Sequence, residues 1–440
     1  MKRIPLILSL ALLLLLPAIA LYPMLHASAE KDGVDSSTAI QEAAPSEAAP
    51  SEAAPSEAAP SEAAPSEAAP SEAAPSEAAP SEAAPSEAAP SDSAVAAPAA
   101  PVAASGSIET DDFPLTDGQQ QALHRYMTAY YTTLGDLTEP STDGVFCADD
   151  IAAYEQAVWR SIVAVRSAAL EDLSLSTCTY TLTVTDISGG EDRLEVSLTE
   201  DNTQQFRGVP ELSMQYGVLH TFLLRRNGDD NWQVADHDCD NGGFYGFVYD
   251  PETGTDARLA EMLTQLTQRH AQQGLTGREL SCSHPYDRTA AVSYLMQWVA
   301  RRDPDWAAYD DYGGNCINFA SQALYAGGIP MSDHWYWAGE EDYSYAWINV
   351  GGFTDWVTGD PSPLVCDPDA AYYTGHPGDL ILMGIETARN HATTISSLVA
   401  DEEGRTVDYL LCSNTDNLLN FPAGAYCYTN QRLIRIFGWE

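Results

Sequence analysis

Helical spacing of apolar positions opens the patterned part of the chain: Leu123, Met127, Tyr130 and Leu134 share one face. Thr116 followed three residues later by Gln119 forms a capping-box pattern ahead of them, and Gly135 marks the stop. A second helix is predicted by Ile151, Tyr154, Val158, Ile162 and Val165, which step by threes and fours. Alternation then takes over. Tyr180, Leu182 and Val184 predict one strand, Gly189-Gly190 a turn, and Leu194, Val196 and Leu198 the next strand. Met214 to Arg226, the turn Asn227-Gly228 and Trp232 to Ala235 predict a further hairpin. Residues 112–250 therefore read as a small α+β module, two helices packed on an antiparallel sheet. Leu259, Met262, Leu263 and Leu266 predict a connector helix within 251–285.

A last domain is expected over 286–440, long enough for its own core. Asp287 caps its opening helix, which carries Val292, Leu295, Trp298 and Val299 on one face. Gly313-Gly314-Asn315 then reads as a turn delivering Cys316 to the start of another helix, with Phe319, Ala320, Ala323 and Leu324 at helical spacing and Gly327, Gly328 and Pro330 as the stop. Strands follow at Gly378 to Met383, at His391 to Ile395 and at Val407 to Ser413.

The N-terminal 111 residues differ in kind. Lys2 and Arg3 precede an uncharged run from Ile4 to Leu25, and Ala27-Ser28-Ala29 offers a cleavage site, so residues 1–29 read as an export signal or an N-terminal membrane anchor. Residues 30–111 read as a disordered linker. From Glu42 to Ser91 the unit Glu-Ala-Ala-Pro-Ser repeats ten times; proline interrupts any helix, alanine is too small for a core, and the carboxylates repel. The expected location is extracellular or at the cell surface, secreted or tethered through the N-terminal segment. A net charge of −44 argues against nucleic acid as a partner. Oligomeric state is not legible.

Eight cysteines in an exported chain would ordinarily pair, and Cys412 with Cys427 is the pairing the last hairpin suggests. No cofactor or metal is expected. Asp236, Asp238 and Asp240 alternate like early calcium ligands, but the glycine falls at Gly242 and Phe247 stands where a glutamate is required, so a polar loop after a strand is the expectation.

Cys316 carries the candidate chemistry. A thiol in the first turn of a helix meets backbone N–H groups and the positive end of the helix dipole, which favour thiolate. His391, at the start of a strand, can serve as base and then acid; Asn414, at the end of the third strand, can orient it; the Cys316 backbone N–H and the Asn315 amide can hold an oxyanion. Trp335, Tyr336, Trp337, Tyr343, Tyr345 and Trp347 lie downstream of the cysteine helix, either as packing or as a groove for glycan or peptide.

Tyr286-Asp287-Arg288-Thr289-Ala290-Ala291-Val292, Gly314-Asn315-Cys316-Ile317-Asn318-Phe319, Ser321-Gln322, Ala326-Gly327-Gly328, Ala346-Trp347, Gly378-Asp379-Leu380, His391 and Asn414-Thr415 together resemble the putative amidase domain of Gram-positive bacteria, which is similar to papain-like cell-wall amidases. The resemblance covers about 286–440. It implies a papain-like α+β fold, with the cysteine helix on an antiparallel sheet that bears His391, and hydrolysis of an amide bond. The family usually has aspartate before the cysteine, threonine after it and histidine at the third polar position; here stand Asn315, Ile317 and Asn414. The expected function is an exported cysteine amidase acting on a cell-wall peptide or another amide. The alternative is a catalytically silent wall-binding or interaction module on the same fold.

Overall fold

The structure is a computed structural model that describes residues 103–240, 254–310, 314–359, 362–384, 389–415 and 417–440. The expected export segment, the Glu-Ala-Ala-Pro-Ser repeat, Gly313, and Gly242 and Phe247 of the calcium-like pattern lie outside the described residues. No described helix is long and apolar enough to cross a membrane.

The chain opens with β1 (Ala103–Glu109), α1 (Asp117–Asp136) and α2 (Asp149–Ser167), then four long strands, β2 (Leu175–Gly189), β3 (Arg193–Phe206), β4 (Ser213–Arg226) and β5 (Trp232–Asp240). Thr116 caps α1 through both bonds of the box: its hydroxyl accepts from the Gln119 N–H, and the Gln119 side chain accepts from the Thr116 N–H. The expected linker ran to residue 111, but its last part is β1, paired in parallel with β2 from Ala103↔Thr177 to Glu109↔Thr183. Alanine, serine and glycine carry no strand signal of their own; the ladder bonds to β2 hold this segment. The polar loop expected at Asp236 to Asp240 is likewise strand, with His220↔Cys239 and Phe222↔His237 in register.

After α3 (Gly254–His270) come β6 (His284–Pro285), α4 (Arg288–Trp298), α5 (Cys316–Ala326), the short strands β7 (Trp337–Gly339) and β8 (Asp342–Tyr343), and α6 (Tyr345–Ile348) with α7 (Val350–Thr358). Strands β9 (Leu364–Ala370), β10 (Leu380–Gly384), β11 (His391–Ala400), β12 (Thr406–Ser413), β13 (Asn417–Pro422) and β14 (Asn430–Trp439) finish the chain. The fold is mixed α+β. Among the described residues, twelve strands form one mostly antiparallel sheet in the order β1-β2-β3-β4-β13-β12-β11-β10-β14-β6, with β5 also on β4 and β9 also on β14. The two halves join where β13 pairs with the start of β4, Asn417↔Tyr216 to Leu419↔Met214, and the Ser213 hydroxyl donates to the Asn420 carbonyl at 2.7 Å.

Side chains alternate across a strand, and β10 shows what each face meets. Ile381 and Met383 belong to a cluster with α1, α2 and the inner faces of β2 to β5. Leu380 and Leu382 belong to another, with Cys316, Ile317, Ala320 and Leu324 of α5 and Trp335, Trp347, Phe353 and Trp356. The C-terminal sheet is thus covered on both faces, by the N-terminal helices on one and the cysteine helix on the other. Each fully buried leucine or phenylalanine in these clusters contributes about 1.5–3 kcal/mol. Cys412 packs against Leu295, Phe319 and Ala323 on the α5 side, whereas Cys427 lies in the opposite cluster. No disulfide joins them, and the sheet between them is the reason.

Candidate active site

Asn315 organises the start of α5. Its Oδ1 accepts from the Tyr309 N–H at 3.1 Å and from Asn318 Nδ2 at 2.8 Å, and its Nδ2 donates to Asn414 Oδ1 at 3.2 Å. Its own N–H donates to Thr415 Oγ1 at 2.6 Å. The preceding Gly314 has φ +121°, and a Cβ there would meet Thr415 Oγ1 at 2.8 Å, so glycine is required for this approach. Cys316 is the first residue of the helix and is 7% exposed. The expected use of the Asn315 side-chain amide in an oxyanion site meets a competing use, since that amide already holds Asn414.

His391 begins β11 opposite Met383 and is buried. Its Nε2 lies 3.4 Å from Ser413 Oγ, and its ring sits against Tyr426 and Tyr428, with centroids 6.0 and 5.9 Å away. Burial pulls its pKa down to about 4. Neighbouring Ala392 faces the Cys316 cluster, so the imidazole leaves the strand on the other side. Asn414 was expected to orient this imidazole, but its side-chain hydrogen bonds among the described residues go elsewhere. Its Nδ2 donates to the Val299 carbonyl at 3.0 Å, tying the end of α4 to the Asn315 network. Ser413 takes the histidine contact instead. One residue of register separates the two side chains, and a one-residue step changes the face they occupy.

A short path nevertheless links the two candidate residues. From His391 Nε2 it runs to Ser413 Oγ, which donates to the Thr415 carbonyl at 2.8 Å; Thr415 Oγ1 then accepts from Asn315, next to the cysteine. The turn after β12 therefore touches both. Support comes from Asp379, fully buried at the head of β10: its Oδ1 accepts from Arg288 Nη1 at 2.7 Å and the Ile436 N–H at 2.8 Å, and its Oδ2 from the His376 N–H at 2.8 Å. Burial raises that carboxyl, and Arg288 opposes the rise.

The aromatic run divides. Trp335 and Trp347 are core: Trp347 Nε1 donates to Asn318 Oδ1 at 2.8 Å and Trp335 Nε1 to Ser321 Oγ at 3.1 Å. Tyr336 and Tyr345 line a surface cleft of about 540 Å³ together with Asp333, His334 and Asp355.

The stretch from β6 to β14 that contains this network is the part of the chain that a family model matches. Residues 285–436 match the putative amidase domain. The matched region begins at Pro285 and holds Cys316, His391 and the Ser413-Asn414-Thr415 turn. Two curated relatives come from Bacillus subtilis (strain 168). The uncharacterized protein YhbB is 32% identical over 202 residues, 42% of this chain and 61% of its own length. The uncharacterized protein YjcM is 32% identical over 72 residues, 16% of each chain. The chain thus spans about three fifths of the first and about a sixth of the second. The family's description points to amidase-type hydrolysis.

Proposed function

We propose that the amidase-family domain hydrolyses an amide bond by a cysteine mechanism of the papain type. Cys316 attacks the carbonyl as thiolate, His391 takes the thiol proton and returns it to the leaving amine, and water hydrolyses the thioester. The Cys316 N–H faces the developing oxyanion. The observation that carries the proposal is the Ser413-Asn414-Thr415 turn, which contacts both the N-terminus of the cysteine helix and His391. The imidazole points to Ser413 here, on the side of β11 away from the Cys316 cluster, so the mechanism requires the start of β11 to rearrange and carry the ring to the sulfur when substrate binds. We propose further that the chain is exported, carried on its repeat linker at the cell surface, and that its substrate is a wall peptide.

A catalytically silent recognition module on the same fold is the second reading. It is favoured by the burial of Cys316, Asn315 and His391 and by the engagement of both asparagine side chains. Site-resolved alkylation of the folded chain from acid to neutral pH separates the two. The enzyme reading expects Cys316 to react at a pH where ordinary thiols are protonated, and His391→Ala to abolish that reactivity. Cys316 reacting no faster than Cys147, with or without His391, would give the site to recognition.

A further inference from the structure

Far from Cys316, the inner face of the β4–β5 ladder gathers a second set of chemically competent side chains. His220 and Cys239 stand directly opposite each other, and His237 is two residues before Cys239 on the same face of β5. One nitrogen of each imidazole and the Cys239 sulfur all lie within 4.8 Å of one another, in a buried position. His220 Nδ1 and His237 Nε2 are 3.0 Å apart.

The outer nitrogens face carboxylates. His220 Nε2 is 3.1 Å from Glu200 Oε2, and His237 Nδ1 is 3.3 Å from Glu155 Oε1 and 2.9 Å from the Tyr126 hydroxyl. Glu200 is held as an acceptor by Tyr131 and by Asn202 Nδ2 at 3.2 Å. With His220 Nε2 donating to its remaining oxygen, the His220 Nδ1 lone pair turns inward to His237. Metal-ligating histidines almost always show this arrangement, one nitrogen on the ion and the other on a carboxylate. The charge balance points the same way. Among the described residues, the ion pairs of Glu155 and Glu200 are with these two histidines and not with lysine or arginine. A divalent ion held by the histidines would set a fixed positive charge beside both carboxyl groups.

We propose that His220, His237 and Cys239 bind a divalent transition metal of the zinc class, with Glu200 and Glu155 orienting the imidazoles from behind. Thiolate with imidazole is a donor set that suits zinc and disfavours calcium or magnesium. Two nitrogens at ~2.0 Å from a tetrahedral ion stand about 3.3 Å apart, so the histidine pair needs to open by only a few tenths of an ångström. The competing occupant of the gap is a shared proton. The aspartates that alternate with these ligands, Asp236 and Asp238, leave β5 on its other face and take no part.

The test uses the full chain, stripped with chelator and titrated with zinc and separately with cobalt(II). The expected result is one equivalent of tightly bound metal, a cobalt spectrum with a thiolate charge-transfer band, and alkylation of Cys239 slowed at least about tenfold by zinc while other cysteines react as before. Cys316→Ala keeps this site. Cys239→Ser and His237→Gln weaken it about 100-fold or more, and Glu200→Gln about 10- to 100-fold. Should the variants not fold, the cobalt band and the zinc protection of Cys239 in the unaltered chain still decide the matter. A chain that takes up no zinc, or whose Cys239 alkylates equally fast with and without it, has a proton between its histidines and overturns the proposal.

Discussion

His391 couples the candidate chemistry to stability. In the unfolded chain its imidazole titrates near 6.5, whereas burial between Ser413 and the two tyrosines moves it to about 4 in the fold. As pH falls below about 6.5 the unfolded state takes up a proton that the folded state refuses, so stability declines from there and levels off below about 4. The loss attributable to this one group is up to about 3 kcal/mol. Urea midpoints measured at neutral pH and near pH 4 should therefore fall further apart in the unaltered chain than in His391→Gln, which has nothing to titrate. Parallel pH profiles in the two proteins would show that the imidazole is solvated. The same shift leaves the ring neutral throughout the neutral range, the form in which it can accept a proton from a thiol.

Between α5 and the turn after β12, two departures from the family pattern form a single contact. The family's usual aspartate can only accept, and a histidine at the third position can donate to it; here Asn315 Nδ2 donates and Asn414 Oδ1 accepts. Asn315→Asp keeps the acceptor for Tyr309 and Asn318 but sets a carboxylate against the Asn414 oxygen, an expected cost of about 1–3 kcal/mol. Adding Asn414→His restores a donor, so the double variant should be more stable than the sum of the singles predicts, by about 1–3 kcal/mol in a double-mutant cycle. Additivity would mean that the two positions changed independently. Asn315 and Cys316 were legible because a glycine turn before a periodic apolar run specifies a helix start from local chemistry alone. The partner of His391 was not. Whether Ser413 or Asn414 meets the imidazole depends on strand register across β11 and β12, where the ladder shifts between Ile395 and Ser397, and pairing irregularities of that kind leave no mark in hydrophobic spacing.

At the scale of the molecule, periodicity located helices and strands but could not report which strands pair across 200 residues of sequence. The boundary expected between residues 250 and 286 separates two stretches of pattern; the sheet and the larger apolar cluster both cross it. Leu418 and Phe421 of β13 and Tyr409 and Leu411 of β12 share that cluster with Leu123, Trp159 and Phe222, and β13 completes its ladder only on β4. Removing the first region would bare the β13 edge together with an apolar face of β10 to β12, a template for aggregation. Calorimetry on the chain from residue 103 onward should accordingly show one cooperative transition. Residues 286–440 expressed alone should give none, with weak near-ultraviolet dichroism and a strong tendency to associate. A fragment that melts cooperatively within a few degrees of the longer chain would mean that residues 286–440 carry their own stability, and that the N-terminal strands dock on them without being needed to fold them.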